Sequence, residues 1–337
     1  MDLKQLCEIL APSGEEYKLR GMLLEEAKKL CGEENVKIDR MGNVLCFKKG
    51  TEVGKPHVCV SAHMDEVGFI IVGATEDGLL RFRCVGGIDP RVIVSKRVLV
   101  GEDLIPGVIG AMAIHLQSAA DRQRVLDYDG LYIDIGAKDK AEAMAKCPPA
   151  TYAYFDTPYT PFGDGFVCAK ALDDRVGCAS ILKLMEEDYP CDVTFAFVTG
   201  EEIGLRGATG AGYTVRPDIA VILEGTSAND MGDVPAQFRV CEAGKGVCVS
   251  FMDGASIAHR KLYQQMLKVA ADNGVAHQVK RGTTGGNDAG AYQRAAAGCQ
   301  TIALSVPCRY IHSGVSVAHL SDIDAQYALT RAFLKNV

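Results

Sequence analysis

The stretch VTFAFVTGEEIGLRGA, residues 193–208, combines an apolar, strand-like run with two adjacent carboxylates. The run ends at Thr199, and Glu201 and Glu202 follow after a single glycine. Neighbouring side chains leave the backbone in different directions, so these two carboxylates cannot perform the same task. One is suited to hold a metal ion while the other handles a proton, although an acidic pair is more often a solvated helix start. The choice between these meanings depends on the residues that the rest of the chain brings to the same place.

Strand-like and helical segments alternate on both sides of this stretch. The other apolar runs of strand length are NVLCFKK (43–49), HVCVSA (57–62), DIAVILE (218–224), GVCVSFM (246–252) and TIALSV (301–306). Helical patterns cover residues 13–31, 176–188, 259–273 and 322–335. Ser13 with Glu16, and Ser321 with Asp324, have the spacing of helix N-terminal caps. The alternation predicts an α/β fold with a mostly parallel sheet flanked by helices, in which HVCVSA is buried on both faces.

A different sequence pattern interrupts this alternation of strands and helices between about Phe69 and Phe162. Short β-rich runs are separated there by Gly, Asp and Pro turns, and only AEAMAKC (141–147) has a helical pattern. Such a region is typical of a small all-β barrel or sandwich. The sequence therefore predicts a discontinuous α/β domain, residues 1–68 and 163–337, with a β-barrel domain inserted at residues 69–162.

Composition excludes several classes of protein. The net charge is −7 and no basic run occurs, which argues against a nucleic-acid partner. No apolar stretch reaches the length of a membrane span, so we expect no membrane partner. The 13 cysteines are scattered, odd in number and without a C-x-x-C pair, as expected for reduced, buried thiols. Because the N-terminus also lacks a signal peptide pattern, the sequence predicts a cytoplasmic protein.

Acidic residues and histidines follow the predicted strands of the α/β domain. Ligands in open α/β sheets bind at the carboxyl ends of the strands, where these side chains would converge. Taken singly, each has a structural explanation, and an aspartate at the helix start near 173–174 has the position of an N-cap. Together they are a donor set that suits zinc, cobalt or manganese. The residues are His63, Asp173 or Asp174, Glu201, Glu202, Glu224 and His312.

Six motifs resemble, in order, those of the M42 family of metallo-aminopeptidases. They are SAHMDEVGFI (61–70), ALDDR (171–175), TGEEIGLRGA (199–208), ILEGT (222–226), GGNDAG (285–290) and RYIHS (309–313). The resemblance implies a zinc-peptidase-like fold with two divalent metal ions per subunit, Zn²⁺ or Co²⁺ foremost and Mn²⁺ as a further candidate. It also implies a cis peptide bond between Asp173 and Asp174. Because many family members carry Asp where this chain has Glu224, the substrate class is left open.

The resemblance assigns a role to each residue of the site. One metal ion would be held by His63, Asp173 and Glu224, and the other by Asp173, Glu202 and His312. Glu201 would be the general base, and Asp65 would orient His63. Spacing alone makes GGNDAG an ordinary turn before a helix, whereas the resemblance implies substrate binding by Gly285, Gly286 and Asp288.

The implied activity is removal of N-terminal residues from short peptides by a homo-oligomer. The inserted domain would join dimers, which would assemble further, up to a dodecamer. Two alternatives stay open. In an endoglucanase-type glycoside hydrolase, Glu201 and Glu202 would be the catalytic pair and the two histidines would have no role. The second alternative is a non-catalytic scaffold. The preferred first residue of the substrate is not indicated, since no basic cluster marks a preference for acidic residues.

Overall fold

The computed structural model describes all 337 residues of the chain. The segment before the insertion contains α1 (Leu3–Glu8), α2 (Tyr17–Cys31), β1 (Val36–Ile38), β2 (Val44–Lys48) and β3 (Val58–His63). Then come β4 (Gly68–Ala74), β5 (Leu80–Val85), β6 (Arg97–Val100), β7 (Ile105–Ala111), β8 (Leu131–Asp134), α3 (Lys140–Lys146) and β9 (Tyr152–Phe155). The strands of the last part are β10 (Thr160–Phe162), β11 (Phe166–Ala169), β12 (Val193–Val198), β13 (Ile219–Ser227), β14 (Val247–Ser250), β15 (His277–Val279), β16 (Gln300–Arg309) and β17 (Ser316–His319). Its helices are α4 (Leu172–Leu184), α5 (Arg206–Val215), α6 (Arg260–Asp272), α7 (Asp288–Arg294) and α8 (Leu320–Asn336).

Eleven strands form one large sheet, whose main path has the order β1-β2-β12-β3-β13-β16-β17-β11-β10. The four central strands β12, β3, β13 and β16 run parallel to one another. The strands added outside them pair antiparallel, except that β15 runs parallel to β14, so the sheet is parallel at its centre and mixed as a whole. β3 and β12 are buried at every position, as expected for strands covered on both faces.

Helices cover both faces of this sheet. α2, α4, α6 and α8 pack on one face around the largest hydrophobic core, which includes Leu23, Phe195 and Phe333. α5 and α7 cover the other face through a smaller core built largely of alanines around Tyr292. Small side chains let the backbones of these helices approach the sheet closely. The parallel strands therefore all end at one edge of a rigid, two-faced layer.

The remaining six strands close into an antiparallel barrel, in the order β4-β5-β8-β7-β6-β9. Its own core contains the T-shaped contacts of Phe69 with Phe82 and Phe155. The predicted fold class, an α/β domain with an inserted small β-barrel, is thus confirmed. The barrel strands lie between Gly68 and Phe155, whereas β10 pairs with β11 at the edge of the large sheet.

Both predicted helix caps are wrong. Glu16 is the N-cap of α2 and Ser13 lies outside the helix, because its hydroxyl donates a hydrogen bond to Asp65 52 residues away. α8 begins two residues earlier than predicted, and the ring of His319 caps it by accepting the backbone N–H of Ser321. The predicted helix at 176–188 is α4, which ends at Leu184. No helix of the chain is long and apolar enough to cross a membrane.

Candidate metal centre

The sequence-predicted ligands meet at the carboxyl edge of the central strands. His63 is the last residue of β3, and Glu202 lies in the turn that follows β12. Glu224 lies within β13, Asp173 lies in the first turn of α4, and His312 lies in the connection between β16 and β17. Residues from distant parts of the sequence therefore converge because their strands are neighbours in the sheet.

The distances between donor atoms fit two metal positions. His63 Nε2 lies 3.5 Å from Asp173 Oδ1 and 3.6 Å from Glu224 Oε2. His312 Nε2 lies 3.7 Å from Asp173 Oδ2 and 3.4 Å from Glu202 Oε2. Ligand atoms about 2.0–2.1 Å from a tetrahedral zinc ion are roughly 3.3 Å apart, close to these values. The two oxygens of Asp173 face different histidines, as a bridging carboxylate requires.

A buried carboxylate oxygen without a hydrogen-bond partner also supports metal binding at this site. Glu224 Oε1 is buried and has no hydrogen-bond partner, which is costly unless a ligand completes the site. Asp174 also brings an oxygen within 4.8 Å of donors on His63 and Glu224. Its oxygens, however, already accept the backbone N–H groups of Gly177 at 3.0 Å and His63 at 3.3 Å. Asp174 therefore holds the backbone of Gly177 and His63 in place, and Asp173 is the better metal ligand of the two aspartates. The peptide bond between these two aspartates is cis.

Burial and mutual repulsion perturb the titration of this cluster. Burial raises the pKa of Glu201 and of Glu224 well above the ordinary value, and it raises the pKa of Glu202 to about 7. Burial acts in the same direction on Asp173, but its interactions with the two nearby histidines outweigh it and lower the pKa of that carboxyl. The nearby carboxylate of Asp173 is the main cause that raises the pKa of His312 to about 9. The cluster holds protons where divalent cations would bind.

Asp65 fixes the turn that carries the two glutamates. Its Oδ1 accepts the backbone N–H of Glu201 at 3.0 Å, and its Oδ2 accepts that of Glu202 at 3.1 Å. Oδ2 also accepts the hydroxyl of Ser13 at 2.6 Å. His63 Nδ1 lies 3.0 Å from the backbone oxygen of Asp65 and 3.5 Å from its carboxylate. Asp65 thus contacts His63 mainly through its backbone, while its carboxylate holds the Glu201–Glu202 turn.

The barrel contributes to the site through the turn after β5. The ring of His312 donates from Nδ1 to the backbone oxygen of Gly87 at 2.9 Å, which leaves Nε2 free to face the carboxylates. Gly86 has φ +83°, and a Cβ atom on it would lie 2.8 Å from Val67 and 3.2 Å from Glu202. Sequence reasoning missed this contact because a backbone carbonyl has no signature in the sequence.

A cavity of about 360 Å³ opens directly beside the ligands. Gly285 and Gly286 line it together with Glu201, so the structure brings the first two predicted substrate-binding residues to the site. Asp288 does not line the cavity. It is fully buried at the start of α7, neither carboxylate oxygen has a hydrogen-bond partner, and burial raises its pKa to about 7.

Comparison with known proteins places the chain in a family. The model of the M42 glutamyl aminopeptidases matches residues 42–329, most of the chain. The chain belongs to the M42 peptidase family. M42 members are metal-dependent aminopeptidases, and the chain is accordingly a peptide hydrolase. It is 34% identical to a putative aminopeptidase of Acetivibrio thermocellus, over 96% of this chain and 94% of the relative. It is 31% identical to a lysyl aminopeptidase of Pyrococcus furiosus, over 99% and 96%.

Solved structures of M42-like proteins share the whole fold. An aminopeptidase of the archaeon Desulfurococcus kamchatkensis superposes with a TM-score of 0.94 at 32% identity, covering 99% of this chain and 94% of that one. A TET1 peptidase of Pyrococcus horikoshii, which assembles into a tetrahedron or an octahedral shell, gives 0.86 at 33% identity, over 99% and 98%. A Thermotoga maritima protein described as an endoglucanase gives 0.81 at 28% identity, over 100% and 97%.

Proposed function

We propose that this M42 enzyme removes N-terminal residues from short peptides through a two-metal centre, with Glu201 as the general base. The observation that carries the proposal is the position of Asp173, whose two oxygens face His63 and His312 at 3.5 and 3.7 Å. His63, Asp173 and Glu224 would hold one ion, and Asp173, Glu202 and His312 the other. Zinc and cobalt suit two imidazoles and three carboxylates best, and manganese is a further candidate.

Bound divalent ions supply Lewis-acid polarisation of the scissile carbonyl, a lowered pKa for an attacking water and attraction for the free amino group. The chain supplies the proton transfer. The carboxylate of Glu201 makes no hydrogen bond to another residue, lines the cavity and is adjacent in sequence to the ligand Glu202. Burial raises the pKa of Glu201, and a higher pKa makes a carboxylate a stronger base. Glu201 would accept a proton from the water and return it to the leaving amine.

The decisive experiment replaces the base and leaves the ligands in place. Glu201→Gln is expected to bind two metal ions per chain, as measured by elemental analysis, and to lose roughly 10²- to 10⁴-fold in kcat on aminoacyl p-nitroanilides. Glu8→Gln on the exposed surface of α1 is the matched control and should match the unaltered protein. Turnover by Glu201→Gln at the normal rate would show that Glu201 is not the base. Absence of turnover in every form would favour the non-catalytic scaffold.

Removal of metal ions by a chelator distinguishes the peptidase from the glycoside hydrolase alternative. Glu202 lies 3.4 Å from His312, and this pairing favours cation binding over a place beside a sugar ring. EDTA should abolish peptide hydrolysis, and addition of each metal in turn should restore it to different degrees. Hydrolysis of β-glucan by the EDTA-treated protein would support the endoglucanase instead.

We also propose that the barrel joins subunits into dimers that assemble up to a dodecamer. The segment after β7 carries four large apolar side chains that are 60–70% exposed, a surface that a partner subunit would cover: Met112, Ile114, Leu116 and Val125. Ile114→Asp with Leu116→Asp should reduce the particle mass in native mass spectrometry. An unchanged mass would exclude this surface as an interface.

The compartment that fits the chain best is the cytoplasm. All 13 cysteines are free, and most of them are buried, as expected for a protein kept in a reducing environment. Cell fractionation with an antibody against the protein tests this proposal.

A further inference from the structure

The two glutamates of the site lie in an irregular loop, residues 199–205, which connects β12 to α5 and is called the glutamate loop below. Gly200, Gly204 and Leu205 all have left-handed φ angles, of +61°, +113° and +58°. The loop belongs to neither a helix nor a strand, so its shape depends on hydrogen bonds with the structure around it.

Asn43 joins the two ends of this loop. Its Oδ1 accepts the backbone N–H of Thr199 at 2.9 Å, and its Nδ2 donates to the backbone oxygen of Gly207, in the first turn of α5, at 2.8 Å. The orientation of the amide is fixed, because an N–H group only donates and a carbonyl oxygen only accepts. The hydroxyl of Thr199 also donates to Oδ1 at 3.2 Å, and Nδ2 donates to Asp39 at 2.7 Å. The side chain of Asn43 is fully buried, and each of its polar atoms makes two contacts.

Asn43 is held on its own side by the sheet. It precedes β2, which pairs with β12 so that Val44 lies opposite Phe197. Asp39 Oδ1 accepts the N–H groups of Met41 at 2.8 Å and of Asn43 at 3.0 Å, which fixes the turn before β2. The amide is therefore positioned before it contacts the loop.

Gly207 leaves no room for a side chain at this contact. A Cβ atom on it would overlap with the backbone oxygen of Thr199 and with Asn43 Oδ1. Its N–H also donates to that oxygen of Thr199, at 2.8 Å. The two ends of the loop and the amide are packed against one another, so a change in one of them must move the others.

We infer that Asn43 is a positioning residue for Glu201 and Glu202, and that it acts by fixing both ends of the glutamate loop. The inference rests on the proposed two-metal function. Asp65 accepts N–H groups inside the loop, whereas Asn43 joins the segments from which the loop begins and ends. Loss of this connection would let the loop move as a unit, together with the base and the ligand that it carries.

Such movement would affect the two proposed metal ions unequally. Glu202 is the only proposed ligand in the glutamate loop, and it serves one ion, together with Asp173 and His312. The ligands of the other ion lie in β3, α4 and β13, to which the side chain of Asn43 makes no hydrogen bond. A general loss of stability would weaken both ions alike, so the difference between them is specific to positioning.

The first experiment is calorimetric titration of the metal-free protein with Zn²⁺ in the presence of a competing chelator. Asn43→Ala should bind one ion as the unaltered protein does and the second about 10- to 100-fold more weakly, and kcat should fall by a similar factor. Gln278→Leu is the matched control and should keep both affinities. Its amide also bridges backbone groups, at Glu242 and Gly246, but away from the glutamate loop.

Isosteric changes test the same contact if Asn43→Ala does not fold. In the double variant Asp39→Asn with Asn43→Asp, the two side chains still pair, with their hydrogen bond reversed, and the N–H of Thr199 keeps its acceptor. The donor to Gly207 is lost, so the second ion should bind about 10-fold more weakly. Gly207→Ala should act in the same direction, whereas Gly21→Ala, where no atom lies within 4 Å, should have no effect.

Hydrogen exchange of the metal-free protein tests the contact independently of activity. Peptides that cover the glutamate loop should exchange about 10- to 100-fold faster in Asn43→Ala, and peptides from β13 should not change. Unchanged exchange of the loop, equal weakening of both ions, or unchanged binding of the second ion would each overturn the inference. If the unaltered protein bound fewer than two ions or hydrolysed no aminoacyl substrate, the proposed function would be refuted, and this inference with it.

Discussion

Replacing Asp65 by Asn should damage the site without removing any proposed metal ligand. Oδ1 of Asp65 accepts the N–H of Glu201, and Oδ2 accepts the N–H of Glu202 and the hydroxyl of Ser13. An asparagine has one acceptor oxygen, so either orientation turns its NH₂ group towards one of the two backbone N–H groups. The hydroxyl of Ser13 can adapt by accepting, whereas an N–H group cannot.

The expected loss of stability follows from the hydrogen bonds that Asp65→Asn would remove. A buried N–H without an acceptor costs about 1–3 kcal/mol, and loss of the charge weakens the remaining bonds by roughly 1 kcal/mol. We expect Asp65→Asn to lower the free energy of unfolding of the metal-free protein by about 2–4 kcal/mol in urea titrations. Because the Glu201–Glu202 turn shifts as well, kcat/KM should fall roughly 10- to 100-fold, as for other residues that support metal ligands.

A second buried aspartate provides the matched control. Asp322 accepts the backbone N–H groups of Gly244 at 2.6 Å and Gly246 at 2.7 Å, outside the ligand cluster. Asp322→Asn should lose a similar free energy of unfolding and retain its metal ions. If Asp65→Asn unfolds within about 0.5 kcal/mol of the unaltered protein and keeps its turnover, the carboxylate does not hold the turn and the reasoning is refuted.

Three further predictions concern the site and its surroundings. A Cβ atom on Gly225 would lie 2.9 Å from Asp173 Oδ1, so Gly225→Ala should reduce metal content, while Gly110→Ala, where no atom lies within 4 Å, should not. Burial raises the pKa of Glu202 to about 7, so a metal must displace its proton; affinity should decrease as pH falls through 7, and calorimetry in two buffers should detect proton release on binding. Ion pairs and a tyrosine hydroxyl on α8 lower the pKa of Glu187 to about 2, below its usual 4.5. The ionised carboxylate therefore stabilises the folded protein above pH 4.5, and this stabilisation disappears as pH falls towards 2. Glu187→Gln should therefore lower the unfolding free energy at pH 7 by roughly 1 kcal/mol after solvent screening and have little effect at pH 2, and equal effects at both values would contradict this.

The sequence predicts the centre of the fold well because there burial and local pattern agree. HVCVSA and VTFAFVT are continuous apolar runs, and the strands β3 and β12 are buried throughout. The residues that follow such strands share an edge by topology, which is why the ligand cluster could be predicted before any distance was available.

Predictions failed where a local signal competed with a distant partner. Ser13 and Glu16 have the spacing of a capping box, but Ser13 binds Asp65 and the carboxylate of Glu16 accepts the N–H of Gly200 at 3.2 Å. Lys280 is one of many lysines in the sequence, and its place in the lining of the cavity that Glu201 and Glu224 also line arises only when the strands of the sheet are assembled. Pairings of this kind depend on packing across the sheet, which spacing along the chain does not encode.

The hydrogen bond between His312 and Gly87 couples two parts of the molecule that have separate cores. It makes the orientation of a proposed metal ligand depend on where the barrel rests against the α/β domain. By thermodynamic linkage, a partner that displaces the barrel turn must change metal affinity, and metal loading must change the affinity for that partner by the same factor. Metal occupancy and binding of such a partner would then be reciprocal variables, and titrating either one would report on the other.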